Sequence, residues 1–131
     1  HAPQQRQLPA PLRDEDRVEL ARDRAAAWGH VVLLKGAYTV IAAPDGRATL
    51  LPFANPVLAV GGSGDVLSGI IVGLLAQGVA PYDAAVLGGY LHGAAGQLAA
   101  DYWGDAGLLA SELADWVSHV RRALSSRPAL A

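Results

Sequence analysis

The tightest constraint on this chain is the run Asn55-Pro56-Val57-Leu58-Ala59-Val60-Gly61-Gly62-Ser63-Gly64-Asp65-Val66-Leu67-Ser68-Gly69. Glycines adopt backbone conformations that a side chain forbids, so Gly61, Gly62 and Gly64 let successive N–H groups converge on one small space. An apolar helical pattern follows at once, through Val66, Leu67, Ile70, Ile71, Leu74 and Leu75, and stops at Gly78. The first N–H groups of such a helix lack intrahelical acceptors and carry the positive end of its dipole, which suits a phosphate. Asp65 then sets a carboxylate against a site built for negative charge. That is unfavourable unless the carboxylate serves a step, and taking a proton from a hydroxyl as phosphoryl transfer begins is the step that fits. The run is not a Walker A loop, since no Lys-Ser/Thr follows the last glycine, nor the dinucleotide fingerprint, since Leu67 stands where the third glycine would be. For the glycines alone, tight packing is an equal explanation; Asp65 and the apolar helix behind it favour an anion site.

The remaining pattern is that of an α/β chain. His1 to Arg13 is proline- and glutamine-rich and reads as irregular. Val18, Leu20, Ala21, Ala25 and Trp28 recur at helical spacing, with Asp14, Glu15 and Asp16 at the start and Gly29 at the end. Val31 to Leu34 is short, apolar and partly β-branched, as in a strand buried on both faces of a parallel sheet. Tyr38 to Ala43 and Arg47 to Leu51 flank the turn Pro44-Asp45-Gly46 and predict a hairpin. Pro81 opens a helix to about Ala100, in which Gly88, Gly89, Gly93 and Gly96 would permit close helix–helix approach. Ser111 is the expected cap of a last amphipathic helix with Leu113, Trp116, Val117, Val120 and Leu124 inward.

Composition excludes several classes. With 131 residues, 52% hydrophobic and 17% charged, and a net charge of −2, the chain is one domain or part of one, with no electrostatic case for nucleic acid or an anionic membrane. Cysteine is absent, so disulfides and thiolate metal sites are unavailable. Methionine is absent as well, and the expectation is a processed or truncated product without a signal peptide. Ala84 to Ala100 carries no formal charge, but it is short, holds His92 and Gln97, and lies between Asp83 and Asp101; a buried helix fits better than a membrane span.

Other candidate chemistry is sparser. Lys35, the only lysine, closes the Val31–Leu34 strand and precedes Gly36, so its ammonium could reach a pocket at the strand's C-terminal end; a solvated strand-end lysine is the plainer account. Thr39 and Asn55 are ordinary turn residues taken alone. His30 and His119 suit solvated positions, His92 suits a satisfied core position, and no histidine pair has metal-site spacing.

Three blocks together resemble one family. Lys35-Gly36-Ala37-Tyr38-Thr39, the run from Asn55 to Gly69, and Tyr90-Leu91-His92-Gly93-Ala94-Ala95-Gly96 are similar to the ADP/ATP-dependent NAD(P)H-hydrate dehydratases of the ribokinase-like superfamily. The resemblance covers His1 to about Leu124. It implies repair of hydrated NADH and NADPH: a nucleotide phosphorylates the ring hydroxyl and phosphate then leaves. By position it implies nucleotide binding by Lys35, Gly36, Ala37, Tyr38 and Thr39, an anion hole at Gly61, Gly62, Ser63 and Gly64, and Asp65 as the base that meets the substrate hydroxyl. The segment His1-Ala2-Pro3-Gln4 looks like the family's His-x-Gly-Glu, which makes His1 a substrate contact and Pro3-Gln4 a departure from the pattern.

The resemblance also implies a ribokinase-like three-layer αβα sandwich, of which residues 1–131 are the C-terminal portion of a single domain. The expected co-substrate is ADP or ATP, with Mg2+. An incomplete sheet exposes an edge, so a missing N-terminal half is expected as a separate chain or fragment, in a cytoplasmic homo-oligomer. Two other readings stay open: a small-molecule kinase of the same superfamily acting on a vitamin-precursor alcohol, and a non-catalytic nucleotide-binding module.

Overall fold

The computed structural model describes residues 12–55, 62–104 and 110–125. Helix α1 spans Asp14–Trp28, strands β1, β2 and β3 span Val32–Leu34, Val40–Ala42 and Ala48–Leu50, and helices α2, α3 and α4 span Ser63–Ala76, Pro81–Trp103 and Ala110–Ser125. The strands form one sheet in the order β1-β2-β3. Both pairings are antiparallel, with Leu33 opposite Ile41 and Ile41 opposite Thr49.

The period of two along the strands builds three layers. Val40 and Ala42, with Val32 and Leu34, face α1 and pack on Ala21, Ala25 and Val18. Ile41, with Val31 and Leu33, faces the other way and packs against Leu51, Phe53 and the start of α3 at Tyr82, Ala85 and Val86. The sheet is therefore covered by helix on each face. A separate cluster joins α3 to α4 through Leu91, Ala95, Ala99, Ala100, Leu113 and Val120, with Ile70 of α2 and Trp116, Val117 and Leu124 against it.

The expected α/β order and the hairpin are both present, with four corrections. Strand β1 packs on both faces as expected, but it pairs antiparallel and is only half-buried. An apolar β-branched run reports burial, and burial does not encode the direction of the neighbouring strand. Trp28 is 60% exposed, with the Arg24 guanidinium over its ring, so the inward stripe of α1 ends at Ala25. Ser111 lies inside α4 rather than ahead of it. Of the α3 glycines, Gly88 admits Ile71 of α2, whereas Gly89 and Gly93 seat Leu51 and Phe53 from the chain after β3. Among the described residues no helix is long and apolar enough to cross a membrane.

Candidate functional site

Antiparallel register puts Leu34 opposite Val40 at one end of the β1–β2 pair, and the chain turns back between them through Lys35 to Thr39. The turn is closed locally by Thr39, whose hydroxyl donates to the Gly36 carbonyl at 3.2 Å and lies 3.4 Å from the Gly36 amide. Tyr38 sits at φ 55°, a left-handed conformation that bulky residues seldom adopt. Its N–H donates to the Phe53 carbonyl at 2.8 Å, and the Thr39 carbonyl accepts from Leu51 at 2.9 Å, so the strained residue is held from the β3 side.

Helix α2 starts beside this turn. Gly62, at φ 86°, caps it in the left-handed region, where glycine has no side chain to clash. The first bonds inside the helix run from Asp65 and Val66 N–H to the Gly62 carbonyl at 3.1 and 3.3 Å. Helix geometry therefore gives the Ser63 and Gly64 amides no intrahelical acceptor. Asp65 is exposed in this first turn, and among the described residues no ion pair joins it to Lys35.

Ser63 is the junction of the site. It is fully buried, and its hydroxyl accepts a hydrogen bond from Lys35 Nζ at 2.6 Å. Its carbonyl lies 3.0 Å from His92 Nε2. A carbonyl can only accept, so His92 carries its proton on Nε2. Burial holds the His92 pKa below the ordinary 6.5; the hydrogen bond to Ser63 opposes that shift and the nearby Lys35 charge adds to it. Lys35 itself is exposed as a residue, yet its ammonium reaches the positive end of α2; a Cβ on Gly64 would stand 3.7 Å from Nζ. A phosphate bound there would meet both the lysine charge and the positive end of the helix dipole.

The expected residues Lys35, Gly36, Ala37, Tyr38, Thr39, Gly62, Ser63, Gly64 and Asp65 thus converge from two segments separated in sequence. His1, with Pro3 and Gln4, and Gly61 lie outside the described residues. Two contributors escape a reading of the sequence. His92 looks like a core residue, and it is one, but nothing in the sequence reveals that its partner is Ser63. Arg17 looks like a solvated helix residue, and instead its guanidinium binds the carbonyls of Leu34, Ala37 and Tyr38.

A cavity of about 10 Å³ lies behind the turn, lined by residues including Thr39, Phe53, Leu67 and His92; it is no larger than a water molecule needs, so any nucleotide would lie on the open side. A cavity of about 430 Å³ lies at the opposite end of the sheet, beside His30, Pro44 and Tyr82, and is remote from Lys35 and Ser63. Among the described residues no group of three His, Asp or Glu side chains could hold a metal ion.

Comparison with known proteins bears on the family and the fold. Residues 5–118 match the model of the NAD(P)H-hydrate dehydratase family. The bifunctional NAD(P)H-hydrate repair enzyme Nnr of Moorella thermoacetica is 53% identical over 110 residues, which cover 84% of this chain and 21% of that protein. The ADP-dependent (S)-NAD(P)H-hydrate dehydratase of Bacillus subtilis is 44% identical over 104 residues, covering 79% of this chain and 38% of that protein. The crystal structure of the ADP/ATP-dependent NAD(P)H-hydrate dehydratase from Bacillus subtilis, co-crystallised with ATP/Mg2+, superposes with a TM-score of 0.78 at 42% identity, covering 83% of this chain and 39% of that one. The chain thus spans about a fifth to two-fifths of the length of these relatives. With most of its residues matched to the family model, and the same α/β fold in a solved member, the chain belongs to the NAD(P)H-hydrate dehydratase family.

Proposed function

We propose that this chain is the nucleotide-binding part of an ADP- or ATP-dependent dehydratase that repairs hydrated NADH and NADPH. The observation that carries the proposal is the 2.6 Å bond from Lys35 Nζ to Ser63 Oγ, which joins the Lys35–Thr39 turn to the glycine-capped start of α2. In this reading the turn holds the nucleotide, with Lys35 offsetting phosphate charge. The amides of Gly61 to Gly64 receive the phosphoryl group in transfer, where fixed dipoles act without reorganising. Asp65 takes the proton of the ring hydroxyl as its oxygen attacks the terminal phosphorus. The new O–P bond replaces the bond to the nucleotide, which departs one phosphate shorter. Phosphate then leaves with the C–O bonding pair, and loss of a ring proton restores the double bond. Magnesium arriving with the nucleotide supplies charge neutralisation at the phosphates. His1 is a contact to the hydrated nicotinamide.

On the same reading residues 1–131 are the C-terminal part of one ribokinase-like domain, whose remaining strands come from residues outside this chain. The protein works as a cytoplasmic homo-oligomer. The matched family is one of dehydratases, which favours this reading over the kinase alternative. Incubation with ADP or ATP and hydrated NADH tests it. Dehydration returns NADH absorbance, and a kinase would leave a phosphorylated product with no such return.

A further inference from the structure

Arg17 belongs to α1, on the far side of the sheet from α3, in a first stretch of helix that also carries the charges of Asp14, Glu15, Asp16 and Glu19. Its own side chain is only 14% exposed, and it forms a 3.5 Å ion pair with Asp14 at the helix surface. The guanidinium reaches out of the helix to the turn after β1. Nη1 donates to the Ala37 carbonyl at 2.6 Å and the Tyr38 carbonyl at 3.0 Å, and Nη2 donates to the Leu34 carbonyl at 3.3 Å. The planar fork presents two nitrogens to the three acceptors at once, where a lysine offers a single one.

We infer that Arg17 is a positioning residue for the nucleotide-binding turn, an inference that rests on the function proposed above. The peptide bonds here are trans, so a carbonyl and the next N–H point in opposite directions. Drawing the carbonyls of Leu34, Ala37 and Tyr38 onto Arg17 turns the N–H groups of Lys35, Tyr38 and Thr39 away from α1. The Tyr38 N–H is taken by Phe53, and the left-handed φ of Tyr38 is thereby fixed from both sides. The Lys35 and Thr39 amides are set in a direction that the turn alone does not impose. Gly36 is part of the same device: a Cβ there would lie 2.9 Å from Arg17 Nη2, so any side chain displaces the clamp.

The test is nucleotide binding and steady-state kinetics of the full chain, with ADP and ATP as probes. Arg17→Ala is expected to raise the nucleotide KM on the order of tenfold while kcat changes by less than about twofold, since misplacing a binding group acts on affinity first. Guanidinium at non-denaturing concentration is expected to restore affinity to this variant and not to the parent. Gly36→Ala is expected to raise the same KM, and by a smaller factor in the Arg17→Ala background than in the parent. Should Arg17→Ala fail to fold, Arg17→Lys and Gly36→Ala decide the matter by the same KM measurement at unchanged thermal midpoint. Parent-like nucleotide KM in folded variants would overturn the inference. If the parent itself binds neither nucleotide, the functional proposal fails and this inference with it.

Discussion

His92 Nε2 donates to the carbonyl of Ser63 across 3.0 Å, and so ties the middle of α3 to the first residue of α2. Both residues are buried, and the serine hydroxyl is in turn the acceptor of Lys35 Nζ. The three residues come from three elements, and they fix the start of α2 against the turn after β1. Replacing His92 by Phe removes this buried hydrogen bond, which costs about 0.5–1.5 kcal/mol. A fall in thermal midpoint of several degrees is expected; an unchanged midpoint would mean that the bond contributes nothing.

The same histidine gives the fold a pH dependence. Its folded-state pKa lies below the ordinary 6.5, chiefly through burial, so the unfolded chain binds the extra proton more readily. The resulting stability is fully present above that ordinary value and is lost as pH falls through the depressed folded one. Denaturant midpoints measured from about pH 7.5 down to about pH 5 should decline, and His92→Gln should flatten that part of the decline. A parallel decline in parent and variant would assign it to other groups.

Lys35 carries the single lysine charge of the chain to the start of α2. Lys35→Met is expected to weaken ADP and ATP binding about tenfold or more, the range for a charged hydrogen bond. The salt dependence of binding should shrink in the same variant. Equal affinities in titration calorimetry would remove the lysine from the site.

Gly93 lies under the ring of Phe53, where a Cβ would stand 2.6 Å from Cγ. The ring is held edge-on by Tyr90, with centroids 5.3 Å apart, and the Phe53 carbonyl anchors Tyr38. Gly93→Ala is therefore expected to destabilise by about 1–3 kcal/mol, as overpacking does. A thermal melt indistinguishable from the parent would show that Phe53 has room to move.

How far the sequence could be read depended on what each residue interacts with. Helix α1, the hairpin and the run from Gly62 into α2 were legible because turn chemistry and apolar period are local properties of the chain. The direction of β1 was not, because Val32 and Leu34 report a covered face and nothing about their neighbour's polarity. Trp28 fell on the helical period and still faces water, since a period marks a stripe without saying where the core beneath it ends. The meeting of Lys35 with Ser63 was suggested by their separate motifs, but the bond itself is a tertiary fact. Arg17 was invisible for the opposite reason: in a helix that begins Asp-Glu-Asp-Arg, one more charge looks like solvated surface.

The central claim is that the exposed carboxylate at the first turn of α2 acts as the base of a phosphoryl transfer, and Asp65→Asn tests it with almost no change in shape. The measurement is paired: nucleotide affinity by titration, and NADH recovery from hydrated NADH with ADP or ATP present. Affinity within about threefold of the parent with recovery slowed by a factor of about 10²–10⁴ is the predicted result. Recovery at the parent rate, with the asparagine in place, would contradict it.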